Sequence, residues 1–234
     1  MYLKSLPVIL FILAISFGVT AQKVALPRNE SDQDPTLAVF VKDLMTAIEK
    51  RDATWIYSRL DPDVISTYGD EQTVDVFKTY WDIENDSTNF WAYIKRVVDM
   101  GGVFLHDTAD QTGKFEFVFP YVYDIDMSLE DDYYLLGAIT GKNVNLRAAP
   151  TTQSKVITQL SHHVIYYIYD EDDGNIEVPL NVHGEPEWYH ITTYDKKYTG
   201  WVNWQYVYSP MGPRLFLYKN PKGAWKISAF VAGD

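Results

Sequence analysis

Apolar positions in the first half of the chain recur at helical spacing. Leu37, Phe40, Val41, Leu44 and Ile48 form one face of an amphipathic helix. Asp34 stands where an N-cap belongs and Pro35 at the first helical position, with the basic residues Lys50 and Arg51 at the other end. Trp55, Ile56 and Leu60 predict a further short helix before Pro62 and Gly69 break the chain. Val74, Phe77 and Trp81 make another stripe. Ser87 is the expected cap of a third pattern, with Phe90, Trp91, Ile94, Val97 and Val98 on one side and Gly101-Gly102 as its terminator. The period then changes. Phe115, Phe117 and Phe119 alternate with Glu116 and Val118, a strand that Pro120 closes or places at an edge. Residues 121–132 read as an acidic connection.

From residue 141 the pattern is one of short strands. Val144 and Leu146 share a face, and Arg147 and the Pro150 turn end that run. Val156 and Leu160 follow, then an apolar run over residues 164–169, then Trp188-Tyr189-His190-Ile191, Gly200-Trp201-Val202 and Tyr206-Val207. Residues 215–219 and the alternating Trp225, Ile227, Ala229 and Val231 flank the turn Asn220-Pro221-Lys222-Gly223, which predicts a hairpin. A lone hairpin is marginal in water, and the helices of residues 35–100 need a sheet to cover them. The hairpin is therefore expected to return and pair near Phe115 to Phe119. That makes residues 35–132 plus 211–234 a discontinuous α+β domain of helices and a small antiparallel sheet. Residues 133–210 would be inserted in it, and residues 22–34 would be a polar tether. The alternative is a separate helical domain, with the hairpin capping the inserted strands.

The inserted stretch resembles the bacterial SH3-like (SH3b) family over about residues 136–208. The match rests on Val144-Asn145-Leu146-Arg147 followed by Pro150, the Trp188 strand, and Gly200-Trp201-Val202 closing with Tyr206-Val207. The resemblance implies an all-β SH3-like barrel with a shallow groove for peptidoglycan peptides or another envelope ligand. Its motif positions name Asn145, Trp188, Trp201, Trp204 and Tyr206 as ligand-binding candidates. Trp204 is the expected exposed ring. For Trp201 and Tyr206 the barrel core and the groove are both open, and Arg147 is expected to satisfy a nearby carbonyl or acid. Residues 170–187 are longer than the family's usual connection and are expected to form an extra hairpin beside or over the groove. The flanking part is faintly similar to the NTF2-like family, through Asp52, Leu60-Asp61-Pro62-Asp63-Val64 and Gly223-Ala224-Trp225-Lys226-Ile227.

Composition narrows the function. The 234 residues are 47% hydrophobic, enough for a packed core. They include Tyr 18, Phe 11 and Trp 7, rings that suit small β modules and peptide or sugar surfaces as well as plain core packing. The formal charge of −12 opposes phosphate backbones and anionic lipid, so nucleic acid is not an expected partner. With no cysteine, disulfides, zinc–thiolate sites, a Cys nucleophile and a lipoprotein anchor are excluded. Lys4, an apolar run over residues 6–19 and Val19-Thr20-Ala21 form a secretory signal peptide pattern, with cleavage expected after Ala21. That run is shorter than the roughly 20 residues of a membrane span. A periplasmic or secreted protein without a transmembrane anchor follows.

No H-E-x-x-H helix, G-x-S-x-G elbow or G-x-G-x-x-G loop occurs. His106, His162, His163, His183 and His190 show no ligand spacing, and no metal site or cofactor is expected. Residues 170–175 are acidic, but placing Gly174 at the glycine of a calcium loop puts Tyr169 where a carboxylate is required. That run and Glu130-Asp131-Asp132 read as solvated. The expected function is non-catalytic binding of peptidoglycan or an envelope protein. Two rivals stand beside it: an adaptor that contacts only other envelope proteins, and a small-molecule binder or enzyme with a pocket lined by Tyr57, Trp81, Trp91 and Phe117.

Overall fold

A computed structural model of the chain describes residues 22–67, 71–106, 113–126, 132–169, 179–181 and 184–233. The expected leader, Glu130, Asp131, residues 170–175 and His183 lie outside them. The architecture is mixed α+β.

Helix α1 (Pro35–Lys50) begins as its sequence dictates. Asp34 Oδ1 accepts from the N–H groups of Thr36 and Leu37 at 2.7 and 3.3 Å. Its apolar stripe is buried. Helix α2 (Ala53–Arg59) is capped by Asp52. The expected extension to Leu60 does not occur, because Leu60 opens strand β1 (Leu60–Ile65). Pro62 lacks an N–H, and β1 tolerates it as an edge strand. Helix α3 (Val74–Trp81) is capped by Thr73. Helix α4 (Phe90–Asp99) starts at Asn89 rather than at the expected Ser87 cap. Thr88 Oγ1 accepts from Phe90 N there, while Ser87 N–H donates to Asn85 in the preceding turn. Gly101 follows at φ +82°, and a side chain on it would meet Arg28 O at 2.5 Å.

The helices cover a sheet of β1, β2 (Val103–Phe104), β3 (Phe117–Phe119), β11 (Arg214–Lys219) and β12 (Trp225–Val231), in the order β1-β12-β11-β3-β2. The β11–β12 hairpin pairs with β3, placing Leu215 opposite Phe119 and Leu217 opposite Phe117. The sheet is not wholly antiparallel as expected, since β1 runs parallel to β12. No tight turn joins these two strands, so nothing local imposes the antiparallel direction. Phe90 sits at the centre of the core, its ring centroid 5.0–5.9 Å from those of Phe77, Trp81, Trp91 and Phe230. Trp81 Nε1 donates to Phe230 O and Trp91 Nε1 to Ile83 O, each at 3.0 Å.

The remaining strands are β4 (Leu136–Ile139), β5 (Val144–Arg147), β6 (Val156–Leu160), β7 (Val164–Tyr167), β8 (Trp188–Thr193), β9 (Thr199–Asn203) and β10 (Val207–Tyr208). They form an antiparallel sheet in the order β10-β4-β7-β8-β9-β5-β6. Ile139, Val144, Leu146, Ile165, Tyr167, Ile191, Val202 and Val207 pack on its inner face. Alternation turns Leu136, Ala138, Val164 and Tyr208 the other way, into the core beneath the helices. The end of this sheet is thus buried on both faces, which explains why every position of β4 is buried.

The expected tether is instead docked. Val24 bridges His163, Ala25 N donates to His162 O at 2.8 Å, and Val164 N donates to Lys23 O at 2.9 Å. Backbone groups at the start of β7 need partners, and this segment supplies them. Arg28 adds an ion pair to Asp124 at 2.6 Å.

Asp61 on β1 is buried, 3% exposed, and accepts hydrogen bonds from Lys114 Nζ at 2.8 Å and from Tyr218 OH. Burial alone would raise its pKa, but the Lys114 and Tyr218 hydrogen bonds outweigh it and hold the carboxyl below its ordinary 3.8. A lowered folded-state pKa stabilises the fold above the unfolded value, and that stability is lost as pH falls through the folded one. Asp61→Asn is expected to cost about 1–3 kcal/mol at pH 7 and to flatten the loss of stability below about pH 4. Urea titrations of both proteins at pH 7 and pH 3 check this; an unchanged acid limb in the variant would count against it.

Candidate functional site

The groove grows out of the strand alternation. Val144 and Leu146 point into the small core, so Asn145 and Arg147 face outward. Arg147 Nη1 donates to Ser154 O at 2.7 Å, the carbonyl role expected of it. Gln159 Nε2 donates to Asn145 Oδ1 at 3.1 Å and fixes that side chain. Gly200 lets β9 approach β5, since a Cβ there would lie 2.5 Å from Arg147 O. Past β9, Asn203 Oδ1 accepts from Gln205 N at 3.2 Å and starts the 3-10 turn Trp204–Tyr206. Trp204 N then donates to Glu187 O at 2.9 Å, joining this turn to the residue before β8.

These elements enclose a groove of about 400 Å³ lined by Lys142, Asn143, Val144, Asn145, Arg147, Thr152, Glu187, Trp188, Asn203, Gln205 and Tyr206. Strand β9 lies between β8 and β5. The cations Lys142 and Arg147 therefore belong to the β5 side and Glu187 to the β8 side. The exposed ring of Tyr206 supplies flat apolar area, the largely buried Trp188 backs it, and Asn143, Asn145, Asn203 and Gln205 supply amides that both donate and accept. Such a surface fits a short chain of peptide groups carrying both a carboxylate and an amine.

Of the five positions named from sequence, Asn145, Trp188 and Tyr206 line this groove, while Trp201 and Trp204 do not. Trp188 is 5% exposed and Tyr206 46%, so Tyr206 is the accessible ring. Trp201 is buried and stacks on His190 with centroids 4.8 Å apart. Trp204, expected as the exposed ring, is half-buried beneath Arg96, whose guanidinium carbon lies 4.6 Å from its centroid. Sequence reasoning passed over Lys142, Glu187, Asn203 and Gln205. The signal was present for the last two, which flank Trp204 in the motif's variable positions.

The rings of the rival pocket occupy other places. Trp81, Trp91 and Phe117 are buried in the core under the helices. Tyr57 lies at its margin, with the Lys78 ammonium 4.9 Å from its ring centroid. Among the described residues no cluster of three or more His, Asp or Glu is arranged to hold a metal ion. No helix among them is long and apolar enough to cross a membrane.

Residues 142–208 match the family model of the bacterial SH3 domain. These domains are binding modules, commonly for peptidoglycan or proteins. No curated protein and no solved structure matches the chain.

Proposed function

We propose that this is an exported, non-catalytic binding protein of the bacterial envelope, whose SH3-like groove takes a peptide of the cell wall. The observation that carries this reading is the groove itself. The exposed Tyr206 ring, four side-chain amides and opposite charges on its two sides meet within the segment that matches the SH3 family. Peptidoglycan stem peptides have the matching chemistry: amide groups throughout, with free carboxylates and amines. Export is supported by the leader pattern at residues 1–21, and a partner other than nucleic acid by the acidic charge.

The test is a pulldown of the protein on purified peptidoglycan beside two groove variants. Tyr206→Ala removes the exposed ring and is expected to weaken binding about tenfold or more. Glu187→Gln keeps the shape, removes the charge, and is expected to weaken binding to amine-bearing peptides most. Retention of the wild type but not the variants supports the reading. No retention of the wild type would overturn it, and crosslinking in envelope fractions would then test the protein-adaptor alternative.

A further inference from the structure

Helix α4 belongs to the core of the α+β part, yet its polar side reaches the segments that carry the groove walls. Tyr93 and Arg96 are three residues apart and so lie on one helical face. The Arg96 guanidinium lies against two rings, its central carbon 4.6 Å from the Trp204 centroid and 4.9 Å from that of Tyr208. Its Nη2 donates to Trp204 O at 2.7 Å and to Val207 O at 3.1 Å. One side chain thus grips both ends of the turn that carries Gln205 and Tyr206 into the groove. Tyr93 OH donates to Glu185 Oε1 at 3.2 Å, two residues before Glu187 on the opposite wall. The Trp204 N to Glu187 O bond ties the two walls to each other.

We propose that Arg96 and Tyr93 are positioning residues of the groove. From outside the family-matched stretch, α4 sets the spacing between the Glu187–Trp188 wall and the Gln205–Tyr206 wall, and with it the affinity for the bound peptide. The chemistry favours arginine at this place. The delocalised, weakly hydrated guanidinium meets two rings while its Nη2 donates to two carbonyls, a combination that suits the compact, strongly hydrated lysine ammonium less well. A groove held from a second core also loses less conformational entropy when a ligand orders it, the condition for tight binding by a shallow surface.

This inference rests on the groove being the binding site, and the experiment separates the two ideas. Amide hydrogen exchange is measured on the whole protein and on Arg96→Ala, Arg96→Lys and Lys95→Ala, alongside affinity for soluble muropeptides. Lys95 is the control, an exposed neighbour paired with Asp99 at 2.5 Å. Arg96→Ala is expected to speed exchange about tenfold in residues 185–188 and 204–207, to leave the β5–β6 hairpin unchanged, and to weaken muropeptide binding by a similar factor. Arg96→Lys should fall between, and Lys95→Ala should match the wild type. Wild-type exchange in both segments of Arg96→Ala would overturn the proposal. So would uniform acceleration across the chain, which marks a residue of general stability. Undiminished affinity in a variant with loosened walls would overturn it as well. If the wild type binds no muropeptide, the cell-wall reading falls, and the exchange pattern still decides whether α4 holds the walls.

Discussion

A chain ending at Pro210 is expected to lose cooperative folding of its larger core. Strands β11 and β12 lie between β1 and β3 in the sheet, so their removal leaves β1 with no partner and β3 with only the short β2. The deletion also takes Leu215, Phe216, Leu217, Ile227, Phe230 and Val231, all at most 3% exposed. Each such side chain contributes about 1.5–3 kcal/mol through burial, against a total stability of about 5–15 kcal/mol for a typical protein. Trp81 Nε1 would lose its acceptor on Phe230, and Asp34 at the α1 cap would lose the bond from Lys219. The measurement is urea unfolding followed by near-ultraviolet circular dichroism. A sharp transition retained in the truncated chain at the amplitude that includes Trp55, Trp81 and Trp91 would show that residues 35–132 are self-sufficient, and the discontinuous domain would be wrong.

Phe90→Ala is the point substitution expected to cost most, about 3–5 kcal/mol. Phe90 is fully buried and touches rings from α3, α4 and β12 at once. Those elements are held apart by their own backbone bonds, so the site cannot collapse to fill the space and the cavity term stays large. Phe90→Leu keeps most of the volume and is expected to lose clearly less. Denaturant midpoints of both variants check the argument. Equal losses would mean that ring geometry, not volume, holds the site together.

Both predictions depend on pairings that the chain reveals only in part. The α1 stripe, its Asp34 cap and the alternation of Phe117 and Phe119 were legible because each depends on neighbours a few residues away. The return of the last hairpin to β3 was reached indirectly, from the need of both helices and hairpin for a covering surface. Strand β1 was missed because Asp61-Pro62-Asp63 interrupts alternation, and only a place at the sheet edge makes that triplet acceptable. The 22–34 segment read as a tether because it is polar, while its docking rests on backbone groups that carry no side-chain signature.

At the groove, residue identity determined that Asn145, Trp188 and Tyr206 belong to a short-strand motif, and that cysteine chemistry is impossible. It determined the helix and strand periods as well, which follow from local covalent geometry. Which ring meets solvent was decided by tertiary structure alone. Trp204 is polar-flanked and sits at a turn, so its sequence reads as exposed, yet Arg96 arrives over it from a helix 108 positions earlier. Burial is a property of what lies opposite in space, and nothing within reach of Trp204 along the chain encodes it. The same holds for the opposed charges of Lys142, Arg147 and Glu187, which become one surface only because β9 inserts between their strands.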